Sequence, residues 1–298
     1  RSDSYFIDYS ARLARLRGTV RLVEKGRPAT PTRDKREPFE LESEYLDYYW
    51  ERRSGTATGG VVLRSAEGDR WASADRLEMK GDKEVYVFTG SVLFHQESGQ
   101  WLADRGTFGD DAGKAEKTAM RPTDITCEKA TINAADDTAL FEKDVVIKQP
   151  QKQLRADTVR VWEIREKLVA EGNVLLSQSA GGWLFEDEFV EKDADEELKE
   201  RLRGPVQVKA ARLVSLYGEK EIYLSGGVTI TQGRDSASGD EMWYFGESGR
   251  SILEGDVEIQ YDNGRTMYAE RIVYDSKNNV FEAFQSVSGK ARIPEEEE

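Results

Sequence analysis

LVAEGNVLLSQ, residues 168–178, reads as a β-strand with a glycine at its centre. Glycine inside a strand weakens it, so it marks a bulge, a tight bend or a close approach by another group. The phrase returns, reworded, as VFTGSVLFHQ at 87–96 and ILEGDVEIQY at 252–261. In each version the residues in phase with glycine are mostly apolar: Leu168, Ala170, Val174 and Leu176 in the first, Phe88, Val92 and Phe94 in the second, Leu253, Val257 and Ile259 in the third. The residues out of phase include Thr89, Ser91, His95, Glu254, Asp256 and Glu258. Alternation of this length predicts a half-buried antiparallel strand.

These strands belong to a repeat that runs along the chain. A small residue followed by an acid, as in Ala74-Asp75 or Ala156-Asp157, precedes each glycine by 16 residues, counted from the small residue. The pair recurs eight times, with Ala211 replacing one acid, and Lys143 and Gln285 standing where glycine is expected. Two residues beyond the glycine position stands valine in all eight units, from Val20 to Val287. Turn-forming stretches such as KGDK at 80–83 and DNGR at 262–265 separate the strands. Each unit is therefore two strands and two tight turns. Units of about 30 residues are too short for propeller blades. A parallel β-helix and a stacked antiparallel jelly roll both fit, and both are one-dimensional stacks. The first strand of each unit has no clear phase: in LRADTVRVWE, Leu154 and Ala156 fall on one side, Val159 and Val161 on the other. The glycine column itself has two readings. It bends the sheet over on itself, or it also leaves room on the inner face for a guest.

The chain of 298 residues reads as one continuous repeat domain, or as two lobes over 1–105 and 127–293. Three insertions interrupt the frame at about 24–42, 104–126 and 179–207. In the third, Phe185, Phe189, Leu198 and Leu202 predict a short helix ended by Gly204-Pro205. The acidic end, 294–298, reads as a solvated tail. Apolar content of 38% against 34% charge suits a thin or extended protein better than a compact globule. The net charge of −14 argues against nucleic acid as a partner and against docking on anionic membranes. No apolar run reaches the 18 residues of a membrane-spanning helix. The chain starts at Arg1 without methionine, which fits removal of a signal peptide or anchor.

The sequence offers little for catalysis. His95 is its one histidine and falls on the outward phase of its strand. Cys127, the one cysteine, sits in the small-residue column as a packing residue, so no internal disulfide forms. One histidine and one cysteine make no zinc set, and no phosphate-binding Walker loop is present. Carboxylate pairs arise by chance among 57 acids. No catalytic residue, metal or cofactor is expected.

ADRLEM…VFTGSVLF, LRADTVRVWEIREKLVAEGNVLLSQ and MYAERIVYDSKNNVFEAF resemble the OstA-like family of lipopolysaccharide transport. The family includes the bridge protein LptA, LptC and the N-terminal domain of LptD; ESGQWLADRGTF at 97–108 is similar to the LptC version. The resemblance implies an elongated, twisted, V-shaped β-jelly roll of about eight two-stranded repeats with an apolar trough. It also implies a periplasmic, non-enzymatic carrier or bridge, with membrane anchoring through a removed N-terminal segment as a further option. The cargo would be lipopolysaccharide, its acyl chains held against Phe88, Val92, Phe94, Val145, Ile147, Val174, Leu176, Val228, Ile230, Val257 and Ile259. From the residues alone these could equally pack against one another as a sealed core. Other Lpt components, or a second copy, would join through the terminal strands near Ser2–Tyr9 and Val280–Ile293. The competing reading is a structural or scaffold β-solenoid that binds only protein.

Overall fold

The computed structural model describes residues 1–25, 38–65, 68–81, 83–97, 122–150, 152–162, 164–179, 205–216, 219, 221–275, 280–284 and 288–290. The helix expected around Phe185–Leu202, the tail at 294–298 and Val287 lie outside these residues. Among the described residues the regular structure is all β-strand.

The chain forms two compact units. The first holds β1 (Ser4–Asp8), β2 (Leu13–Glu24), β3 (Phe39–Tyr49), β4 (Ser54–Ser65), β5 (Arg70–Lys80), β6 (Val85–Gln96), β7 (Thr123–Asn133) and β8 (Thr138–Gln149). The second holds β10 (Lys167–Gln178), β11 (Val206–Leu216), β12 (Glu221–Gln232), β13 (Asp235–Phe245), β14 (Arg250–Gln260), β15 (Thr266–Asp275), β16 (Val280–Phe284) and β17 (Ser288–Lys290). Strand β9 (Lys152–Trp162) divides between the units at Asp157 and Thr158. Within the first unit each strand from β1 to β8 pairs antiparallel with the next. The same holds from β10 to β16 in the second, and β17 returns to pair with β15. This is the meander that two-strand repeats with short turns dictate.

A bulge at the middle of the strands explains both markers. Between Thr58↔Arg76 and Val61↔Ala74, Gly59 and Gly60 together oppose the single Asp75. Gly90 and Ser91 likewise oppose Glu128, between Thr89↔Lys129 and Val92↔Cys127. The count fits the strand lengths: β4, β6, β8, β10 and β12 have 12 residues, while β3, β5, β7, β9 and β11 have 11. The extra residue bends the strand and strengthens its twist. Both bulge residues are left-handed, with φ of 78° at Gly90 and 46° at Ser91, and 75° at Gly172 and 48° at Asn173. Glycine takes the first place because a Cβ on Gly90 would overlap the Asp75 carboxylate, and one on Gly172 that of Asp157. Seated there, the Asp157 carboxylate accepts from Asn173 Nδ2 at 3.1 and 3.0 Å. In the first repeat Asp3 Oδ2 accepts from the Thr19 backbone N–H at 3.1 Å. The small-acid marker and the glycine marker are thus two halves of one corner.

The exception supports the rule. Lys143 occupies a glycine place at φ 66°, and its ammonium reaches out to Glu128, 3.0 Å away, the acid of its own unit.

The corner also settles the phase of the first strands. In β9, Leu154 and Ala156 are buried, Asp157 is exposed, and then Val159 and Val161 are buried. In β5 the same switch takes burial from Ala72 and Ala74 to Leu77 and Met79. Inward positions change parity across the bend, so both sets face the interior. The sheet folds over at this line. Phe88 and Phe94 lie on either side of the bend in β6, six residues that would span about 20 Å if extended. Their ring centroids are 5.1 Å apart, edge to face at 75°.

Candidate functional site

The inward residues line up across neighbouring strands as rows parallel to the corner. In the first unit one row runs from Leu41 through Leu63, Ala72, Phe94 and Ile125 to Ile147, each opposite the next. Across the bend a second row runs from Leu46 through Ala57, Leu77, Phe88 and Ala130 to Phe141. Phe94 meets Phe141 edge to face, centroids 5.5 Å apart, so the two arms touch through side chains of different strands. In the second unit Leu176, Val208, Ile230, Ala237, Ile259 and Met267 form one row. Facing it across the bend, Ala170, Leu213, Leu224, Met242, Leu253 and Ile272 form another.

Every residue singled out from the sequence lies on this inner face. Phe88, Val92 and Val145 are each 1% exposed, and Ile147 5%; Phe94 is half-buried. In the second unit Val174, Leu176, Val228, Ile230 and Val257 are buried, and Ile259 is half-buried. The valines occupy the corner itself. Val92 lies opposite Cys127, Val174 opposite Ala210, Val228 opposite Gly239 and Val257 opposite Ala269. The small-residue column therefore makes room for the valine column. Two places beyond the valine, Leu22, Leu63, Phe94 and Ile259 are half-buried, whereas Ile147, Leu176 and Ile230 are buried.

Sequence reasoning missed the inward half of the first strands, among them Leu77, Ala130, Leu213 and Met242, all 1% exposed or less. The available signal was the apolar parity change across each acid. It also missed Ser215 and Ser251, whose buried hydroxyls have no hydrogen-bond partner among the described residues. A buried hydroxyl left unpaired costs about 1–3 kcal/mol.

The outer face is charged and paired across strands. Arg64 donates to Glu42 at 2.7 Å, Lys129 to Glu142 at 2.6 Å, and Arg212 to Glu171 at 3.0 Å. His95 is half-buried on this face: its Nδ1 lies 2.6 Å from Asp124, and its ring stacks on Trp71 at 5.4 Å. Cys127 is buried, donates to the Lys129 carbonyl at 3.2 Å, and has its thiol pushed up to about 11 by desolvation. A cavity of about 610 Å³ at the Gly255 corner is lined by Asp240, Glu254, Asp256 and Glu270, with Arg271 and Phe284. Among the described residues no group of histidine, cysteine and acidic side chains is arranged to hold a metal ion.

These features define a repeat β-protein whose distinctive surface is an apolar interior between two arms of a folded-over sheet. Residues 124–280, just over half of the chain, match the family described as LptA/(LptD N-terminal domain) LPS transport protein. The chain belongs to that family. Among solved structures it is similar to LptH from Pseudomonas aeruginosa, described as the LptA homologous periplasmic component of the conserved lipopolysaccharide transport device. That likeness has 15% identity and a TM-score of 0.26, covering 58% of this chain and 96% of LptH. Comparison with curated proteins returns no match.

Proposed function

We propose that this chain carries lipopolysaccharide without chemical reaction, holding its acyl chains between the two arms of the sheet and leaving its sugars outside. The observation that supports this most directly is the continuity of the four inward rows flanking the corner, which pass from strand to strand without a charged side chain. An acyl chain of about 12 methylenes costs on the order of 10 kcal/mol to hold in water. An apolar interior removes most of that cost and needs no catalytic group. The proposed location is the periplasm, the aqueous gap such a lipid has to cross. The half-buried residues Phe94 and Ile259 are the first points of contact, and the buried valines line the floor. Acidic side chains on the outer face repel the lipid's phosphates, favouring passage over capture.

Apolar exposure at the chain's terminal strands supports a chain of partners. Tyr5, Phe6 and Tyr9 are 73%, 55% and 80% exposed on and beside β1, and Val280, Phe281 and Phe284 of β16 are exposed as well. These strands would accept another Lpt component, or a second copy, by strand addition.

The test is site-specific photocrosslinking in cells making labelled lipopolysaccharide. Crosslinkers at Phe94, Ile147, Ile230 and Ile259 should capture lipid, and one at the exposed Lys148 should not. Capture of protein alone from all positions would replace this reading with a scaffold.

A further inference from the structure

On one arm of the second unit the outermost inward row carries two buried serines. It runs Leu168, Ser215, Ile222, Tyr244, Ser251 and Tyr274, each opposite the next across β10 to β15. Ser215 is 0% exposed and Ser251 7%, and neither hydroxyl has a hydrogen-bond partner among the described residues. Ser251 stands between Tyr244 and Tyr274, its register partners on either side. The equivalent row of the first unit passes through Tyr48, Gly55, Met79, Tyr86, Ile132 and Ala139 and contains no serine. The two hydroxyls are therefore not demanded by the repeat.

Their place in the strand suggests what they meet. Ser251 precedes the corner glycine, Gly255, by four residues, and Ser215 follows the corner residue Ala211 by four. Both sit next to the hairpin end of the arm, away from the valine floor. A fatty chain lying with its methyl end at the corner brings the group at its head to this level. In an acylated amphiphile that group is an ester or amide carbonyl, an acceptor with no donor of its own on the oxygen. Serine supplies one O–H donor.

We infer that Ser215 and Ser251 are donors to the carbonyl oxygens of acyl chains in the second unit, so that the interior distinguishes acyl from alkyl amphiphiles. The two serines are three strands apart, about 14 Å at the usual strand spacing. They therefore serve separate carbonyls, or one carbonyl at successive positions. This inference rests on the proposed lipid-carrying role and assigns it a chemical preference.

The test uses the full chain and two lysophosphatidylcholines of equal chain length, one with a 1-acyl ester and one with a 1-O-alkyl ether. Displacement of a bound apolar dye reports their affinities. The unaltered protein should bind the ester about tenfold more tightly than the ether, as one or two hydrogen bonds in a water-poor site provide. In the Ser215→Ala/Ser251→Ala variant that ratio should fall to about one through loss of ester affinity, with ether affinity unchanged. Loss of packing would weaken both lipids together. The substitutions remove unpaired hydroxyls, so the urea midpoint should hold or rise, which confirms that the variant is folded. Equal affinity of the unaltered protein for both lipids, or a preference that survives the double substitution, overturns the inference and leaves the carrier reading standing. Failure of both lipids to bind overturns the carrier reading with it.

Discussion

Replacing Gly172, half-buried at the bend of β10, with alanine should cost about 1.5–2.5 kcal/mol. The backbone there has φ of 75°. An L-residue in that region costs about 1–2 kcal/mol. The new methyl would also overlap the Asp157 carboxylate, forcing it from its hydrogen bonds with Asn173 at 3.0 and 3.1 Å. Their loss adds about 0.5 kcal/mol at an exposed position. Urea unfolding followed by tryptophan fluorescence measures the change as midpoint shift multiplied by the slope. The decisive comparison places the same substitution in an Asp157→Ala background. With the carboxylate gone, the backbone cost and the close approach to the Cβ at position 157 should remain, while the overlap with the carboxylate and the loss of its hydrogen bonds disappear, leaving a coupling of about 0.5 kcal/mol or more between the two positions. A Gly172→Ala cost below about 0.5 kcal/mol, or an identical cost in both backgrounds, refutes the account of the corner.

Lys143→Gly should raise the urea midpoint, because it releases a left-handed lysine at φ 66° and gives up only a solvent-exposed pair with Glu128. Phe88→Ala should cost about 3–5 kcal/mol, as expected for a fully buried aromatic; Phe94→Ala, half-buried, should cost less than half of that while weakening binding of a hydrophobic dye. Cys127 should resist alkylation at pH 8 in the folded protein and react promptly in urea. Its folded thiol titrates near 11, above the ordinary value of 9.0, so the unfolded chain loses its proton first as pH rises. Stability should therefore fall between about pH 9 and 11, and Cys127→Ala should remove that part of the slope.

The repeat and the inner face of the glycine strands were legible because both are local. Alternation around Gly90 or Gly255 survives the bulge, since two left-handed residues return Val92 and Val257 to the phase of Phe88 and Leu253. The first strands were opaque for the opposite reason. Their bend shifts parity by one, so the apolar residues on the two sides of Asp157 fall on opposite phases of a simple alternation. The role of the glycine column was half visible. A bend was expected, but the carboxylate that fills the space beneath Gly172 comes from 15 residues earlier in the chain. The Lys143–Glu128 substitution is the one place where sequence hints at that pairing, through an exchange of glycine for a cation. The serine row was invisible, because Ser215 and Ser251 share no motif and fall in one row only through the register of β11 to β14.

The bulges also govern where this chain tolerates a change of length. Each corner interlocks with the one before and after it, so a strand that gained or lost one residue would slide its valine out of line with its neighbours. Additions at the hairpin ends disturb no corner, and a longer connection raises the closure cost only logarithmically. The long connections fall where this reasoning places them, between β2 and β3, between β6 and β7, and between β10 and β11. A designer wishing to append a tag or a binding loop would do best to choose those same three junctions and leave every strand at its present count.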